Sequence, residues 1–202
     1  MNDNYNLEST PQEGTPEYDQ YMRDQFGDDY ELGYRVGFGR RLGAALLDLI
    51  FTIFIYAIVM VSTGTYQKII QFGNPLEHMA EISLLMVDTT TIATILYIIY
   101  YSTEALYGVS LGKLILRIKI ANSNRTEANT STLFKRYIIK HLSYFVSILG
   151  ALTSVFWLEG ISSTISVVIF LGFFLTLTQK RQALHDILAN TAVYYKDNIK
   201  NY

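Results

Sequence analysis

LGAALLDLIFTIFIYAIVMV, residues Leu42–Val61, is twenty residues long and carries one charge, Asp48. A bilayer is crossed by about 17–25 predominantly apolar residues in helix. A soluble helix of that length keeps a polar face, and this stretch has none. It reads as a transmembrane helix, and the rest of the chain follows the same pattern. Ile82–Tyr101 is a second such run, with Asp88 its only charge. His141–Leu158 and Ile161–Thr178 are a third and a fourth, free of Asp, Glu, Lys and Arg. Only Glu159–Gly160 separates the last two, which predicts a tight antiparallel hairpin. The fold class is an all-α membrane protein with four transmembrane helices.

Composition agrees. The chain has 202 residues, half of them apolar and 17% charged, where a soluble domain carries about 25% charge. Mean hydropathy is +0.20. The absence of cysteine excludes disulfides, thiolate metal sites and cysteine nucleophiles. A net charge of −2 argues against nucleic acid as a partner. The bases are placed one-sidedly: 15 of the 16 lie before the first span, between the second and third, or after the fourth. Lys68 alone falls in the loop between the first two. Cytoplasmic loops are enriched in Lys and Arg, so both termini are expected on the cytoplasmic side of a multi-pass membrane protein. The first 30 residues show no apolar signal-peptide core, and span one is expected to serve as the insertion signal.

Outside the spans, residues 1–34 hold nine acids and one base, Arg23, with few aliphatics. Such a segment is expected to be a disordered acidic tail, leaving 35–202 as the membrane domain. Arg117–Ile120 alternates, with Arg117 and Lys119 on one face and Ile118 and Ile120 on the other, a strand period. Thr191–Tyr195 is a second β-favouring run. The two are expected to pair as a small, hairpin-like β element under the cytoplasmic face. Ser131–Lys140 reads as an amphipathic basic helix leading into span three.

Two motifs have ordinary explanations. GVSLG (Gly108–Gly112) matches the GxSxG elbow of hydrolases, but that elbow needs a strand–turn–helix setting and a placed Asp and His. Here it follows a membrane span and reads as a turn. Gly37, Gly39 and Gly43 echo a dinucleotide fingerprint without the strand that must precede it. His78, His141 and His185 lack metal-ligand spacing. No enzyme, metal site or cofactor is expected.

The ionisable residues in the spans are the functional candidates, because a carboxylate there is costly. Arg41 and Asp48 are seven residues apart, on one helical face and about 10 Å apart along the axis. Asp186, with His185 beside it, lies just past the fourth span. Arg40, Arg41, Asp48 and Asp186 read as one charge cluster at the cytoplasmic end, either ion- or proton-binding or structural, with a helix cap or surface charge as the alternative for Asp186. Asp88, His185 and Arg136 are secondary candidates.

GFGRRLGAALLD (Gly37–Asp48), GVSLGKLILRIKI (Gly108–Ile120), LFKRYIIK (Leu133–Lys140) and KRQALHDILANTAVYY (Lys180–Tyr195) occur in that order. Together they resemble the RDD family of bacterial integral membrane proteins, named for one arginine and two aspartates. The resemblance covers about residues 36–195. It places the family's arginine at Arg41, with Arg40 beside it, its in-membrane aspartate at Asp48 and its C-terminal aspartate at Asp186. Asn190 stands where the family commonly has glycine, which asparagine can replace at positive φ. Gly39 precedes the arginine pair where an aromatic is common.

Sodium/proton exchange has been attributed to some members. The resemblance therefore implies transport of ions or a small solute, with Asp48 as the carrier and Arg41 setting its affinity for a proton. The alternative is a non-transporting membrane subunit or anchor that binds partner proteins through its loops and tail. Four spans are few for a permeation pathway, so a homo-oligomer or membrane complex is expected within the lipid bilayer.

Overall fold

The computed structural model describes residues 11–12, 15–27 and 29–200. In chain order its helices are α1 (Pro16–Phe26), α2 (Asp29–Leu32), α3 (Phe38–Ser62), α4 (Thr65–Gln71) and α5 (Met79–Tyr107), the last extended backwards by a 3₁₀ turn, Pro75–His78. There follow α6 (Leu111–Ile115), strand β1 (Ile118–Asn122), α7 (Thr130–Lys140) and α8 (Leu142–Thr153). The chain ends with α9 (Trp157–Phe173) and its 3₁₀ continuation Phe174–Leu177, α10 (Leu184–Leu188) and β2 (Thr191–Tyr195). Contacts divide the chain into two units. One is Gly39–Leu116; the other is the chain up to Phe38 together with the chain from Arg117 on.

In the first unit α3 is an inverted amphipathic helix. Its buried stripe is Arg41, Ala44 and Asp48, while Leu49, Ile53, Phe54 and Ile58 are exposed. Apolar side chains outward and polar ones inward is the arrangement a lipid solvent favours, since polar groups gain only from protein partners there. Near the far end of α3, the hydroxyls of Thr63, Thr65 and Thr89 lie within 2.6–3.1 Å of one another. Thr89 thus joins α5 to the α3–α4 turn, while Thr91 donates back to the Val87 carbonyl at 2.8 Å, as helical threonines do.

In the second unit β1 and β2 pair antiparallel, Ile120 opposite Val193. Ile118, Ile120, Ala121, Ala192 and Tyr194 are buried there, so the period-two reading holds over Ile118–Ile120, while Arg117, at φ 53°, precedes the strand. Asn190 has φ 54°, the left-handed conformation that lets asparagine stand in a glycine's place. Its side-chain oxygen accepts from the Ser123 hydroxyl at 2.7 Å, tying the entry of β2 to the exit of β1.

Three helical stretches are long and apolar enough to cross a membrane: Phe38–Ser62, Pro75–Tyr107 and Trp157–Leu177. The third expected run, 141–158, is instead the 12-residue α8. Such a helix is about 18 Å long, against a hydrocarbon core of about 30 Å. The hairpin it forms with α9 turns at Ser154, with φ 56°, and not at Glu159–Gly160. Glu159 falls inside the first turn of α9, where a carboxylate is favoured by the helix dipole; the Ser147 hydroxyl donates to it at 3.2 Å.

The acidic segment also departs from expectation. Residues 1–10, 13–14 and 28 lie outside the described residues, but Pro16–Phe26 and Asp29–Leu32 form α1 and α2. The Thr15 hydroxyl caps α1 by accepting from the Tyr18 amide at 3.2 Å, and Pro16 occupies the first helical position. What composition could not show is a buried set of opposite charges. Arg125 Nη2 lies 2.8 Å from Asp19 and its Nε 2.6 Å from Glu31. Lys200 Nζ meets the same two acids at 2.7 and 2.8 Å. The Arg125 guanidinium stacks 3.7 Å from the Tyr34 ring centre. Burial opposes its charge, but Glu31 and Asp19 outweigh that and raise its pKa. Burial also pushes the Tyr30 phenol beside it well above its ordinary range, aided by its hydrogen bond with Tyr34. Two of the nine acids of this segment, Asp19 and Glu31, are thus the anionic half of a buried ion cluster, while Glu17 and Asp24 are exposed.

Candidate functional site

α3 brings Asp48 to the inner face of its unit, where the residue is 3% exposed. Its carboxylate accepts three hydrogen bonds. Tyr100, on α5, donates its hydroxyl to Oδ1 at 2.6 Å. The backbone amide of Gly112 donates to the same oxygen at 2.8 Å. Ser110 donates its hydroxyl to Oδ2 at 2.6 Å. No basic side chain is among these partners. Lys113 lies one contact further out, its Nζ 3.4 Å from Ser110 Oγ and 2.7 Å from Glu104 Oε2. Ser110 is therefore the link between a buried ion pair and the aspartate.

GVSLG builds this socket. Gly108, at φ 72°, ends α5 and reverses the chain; Ser110 and Gly112 then face back to α3. Gly112 has to be glycine: a Cβ there would lie 2.3 Å from the Ala44 carbonyl and 2.8 Å from Asp48 Oδ1. Close approach of backbone to backbone is what puts the amide in reach of the carboxylate. The motif resembles a hydrolase elbow in spelling only; its serine is a donor to a buried acid. We expect Gly112→Ala to destabilise the detergent-solubilised protein by about 1–3 kcal/mol through overpacking. Equilibrium unfolding of the two proteins checks this, and an unchanged midpoint would contradict the close approach.

In the other unit Asp186 is fully buried. Its Oδ1 lies 2.7 Å from Arg136 Nε, on α7. Its Oδ2 accepts from the Ala183 amide at 3.1 Å, closing the first turn of α10. His185 Nε2 is 3.6 Å from the same carboxylate. The approach of α10 to α9 is tight, since a Cβ at Gly172 would lie 2.5 Å from that of Leu184.

The sequence-predicted residues therefore sort as follows. Arg136, His185 and Asp186 come together. Asp48 has its own partners, in the unit that also holds Arg41; Arg41 shares its buried helical face and Arg40 is exposed. Asp88 is exposed on α5. Asp88→Ala should leave the melting temperature unchanged, as surface substitutions usually do; a large drop would place a partner on that carboxylate. Tyr100, Ser110, Gly112, Glu104 and Lys113 were not anticipated. Among the described residues no cluster of His, Asp and Glu could hold a metal ion.

The sequence matches the RDD family over residues 35–190. The chain belongs to the RDD family. No curated protein and no solved structure matches it. The RDD match contains the Asp48 socket and the Arg136–Asp186 pair. It excludes Asp19, Glu31 and Lys200, so three of the four members of the Arg125 ion cluster lie outside the family region. Family and apolar helices together make this a membrane protein.

Proposed function

We propose that this RDD-family protein is a non-transporting, non-enzymatic subunit or anchor of a bacterial inner membrane. Its in-membrane aspartate is a structural lock, and its charged module engages partner proteins on the cytoplasmic side. The observation that carries this reading is the filling of Asp48 by three neutral donors, one of them a backbone amide. A cation bound at Asp48 would need oxygen ligands, and the Gly112 N–H offers a proton where the ion would sit. A carrier must also exchange its ligand with water, and burial of Asp48 supports the static role.

Cation/proton exchange is the second reading, favoured by the two hydroxyls that flank the carboxylate. Proteoliposomes decide between them. We expect no sodium- or potassium-driven proton flux above protein-free vesicles. Flux in the wild type that Asp48→Asn abolishes, with the variant still folded, would favour exchange.

The orientation in this proposal rests on the one-sided bases and on the Lys200 amide's hydrogen bond to the Arg125 carbonyl at 3.0 Å, which keeps both segments on one side although α8 is short of a full span. Accessibility reporters after residue 20, within 122–126 and after residue 200 should all read cytoplasmic, and one at Asn74 external. An external signal from 122–126 would overturn it.

A further inference from the structure

An open pocket of about 480 Å³ lies in the second unit, lined by residues of α1 and α2, the turn after β1 and the 180–190 segment. At its base is Arg35, 8% exposed. The guanidinium donates to the Lys180 carbonyl at 2.9 Å, to Gln182 Oε1 at 2.9 Å and to the Ser123 carbonyl at 3.2 Å. All three acceptors are neutral, and Arg35 Nε has no hydrogen-bond partner. Among the described residues no carboxylate is within ion-pair distance of it. A buried cation without an anion is costly and is normally paired. Glu31 also lines the pocket, but its charge is taken by Arg125 and Lys200.

The rim adds two more bases, Arg23 and Lys180, both exposed. Asn124 and Asn190 line it as well. Their side-chain oxygens accept from Thr126 and Ser123 respectively, and both residues are exposed, so their amide NH₂ groups remain as donors to the cavity. Three cations and two amide donors around one cavity are the complement of a multiply hydrogen-bonding oxyanion.

Position narrows the choice of anion. Arg35 is three residues before Phe38, where one long apolar helix begins, and Lys180 three residues after Leu177, where another ends. Both therefore belong to the membrane–water boundary, where basic residues meet anionic headgroups. We infer that this pocket binds a phosphate group, with Arg35 as the fixed cation and Arg23 and Lys180 as its rim. The group has two sources, a phospholipid headgroup or a free phosphorylated small molecule.

The test uses the full chain in a phosphate-free maltoside detergent. One arm replaces chloride by inorganic phosphate at equal ionic strength; the other adds dioleoyl phosphatidylglycerol to the micelles. A saturating ligand should raise the melting temperature by about 2–4 °C or more. A rise with soluble phosphate assigns a free ligand, and a rise with the lipid alone assigns the headgroup. Arg35→Gln should remove the rise. Because that residue is buried, Arg23→Gln/Lys180→Gln is the second variant: both positions are exposed, and it should fold normally yet lose the rise. Lys135→Gln, an exposed base outside the pocket, should retain it. No rise with either probe, or a rise undiminished in Arg23→Gln/Lys180→Gln, overturns the inference.

Discussion

Asp48→Ala should lower the stability of the detergent-solubilised protein by about 3–5 kcal/mol, among the largest effects of any single substitution. The reason lies in what is left behind. Tyr100 and Ser110 would each bury a hydroxyl with no acceptor at Asp48, and Gly112 an amide. A stranded buried donor costs about 1–3 kcal/mol, and here three lose their acceptor together. Asp48→Asn keeps one acceptor oxygen and should fall between wild type and Asp48→Ala. Denaturant unfolding of the three proteins checks the order. An Asp48→Ala variant as stable as the wild type would mean that the socket contributes nothing.

Arg125→Ala should be as damaging locally. It removes the guanidinium from between Asp19 and Glu31 and leaves Lys200 alone against two buried carboxylates. Breaking such a set costs about 3–5 kcal/mol. The loss should appear first in α1 and α2, since these acids are their contribution to the cluster. Amide exchange over residues 16–32 should accelerate strongly, while that of α3 and α5 stays as in the wild type. Deleting residues 1–30 should also destabilise the rest of its unit, because Arg125 and Lys200 then share Glu31 alone. Unchanged exchange in Arg125→Ala would contradict this.

Much of the fold could be read directly. Long apolar runs mark membrane helices whatever their partners, and alternation at Ile118–Ile120 marked the strand that pairs with Thr191–Tyr195. Asp48 was legible because a lone acid in twenty apolar residues demands an explanation. Its partners were not. Tyr100 is one of many tyrosines, and GVSLG is a short motif whose value depends on a backbone approach of a few ångströms. Composition also misled at the N-terminus. A low-aliphatic acidic segment cannot bury apolar area, but Asp19 and Glu31 show that it can bury charge when Arg125 and Lys200 are supplied from far along the chain. The short α8 has a similar cause: hydropathy has no sense of where Ser154 turns the backbone.

The central claim is that Asp48 acts as the acceptor that joins α3 to α5 and to GVSLG. A double-mutant cycle of Asp48→Ala with Tyr100→Phe tests it most directly. Tyr100→Phe removes the donor that Asp48→Ala would strand, so the double variant should lose less than the sum of the singles by about 0.5–3 kcal/mol, the range for residues in contact. Strict additivity of the two substitutions would contradict the lock.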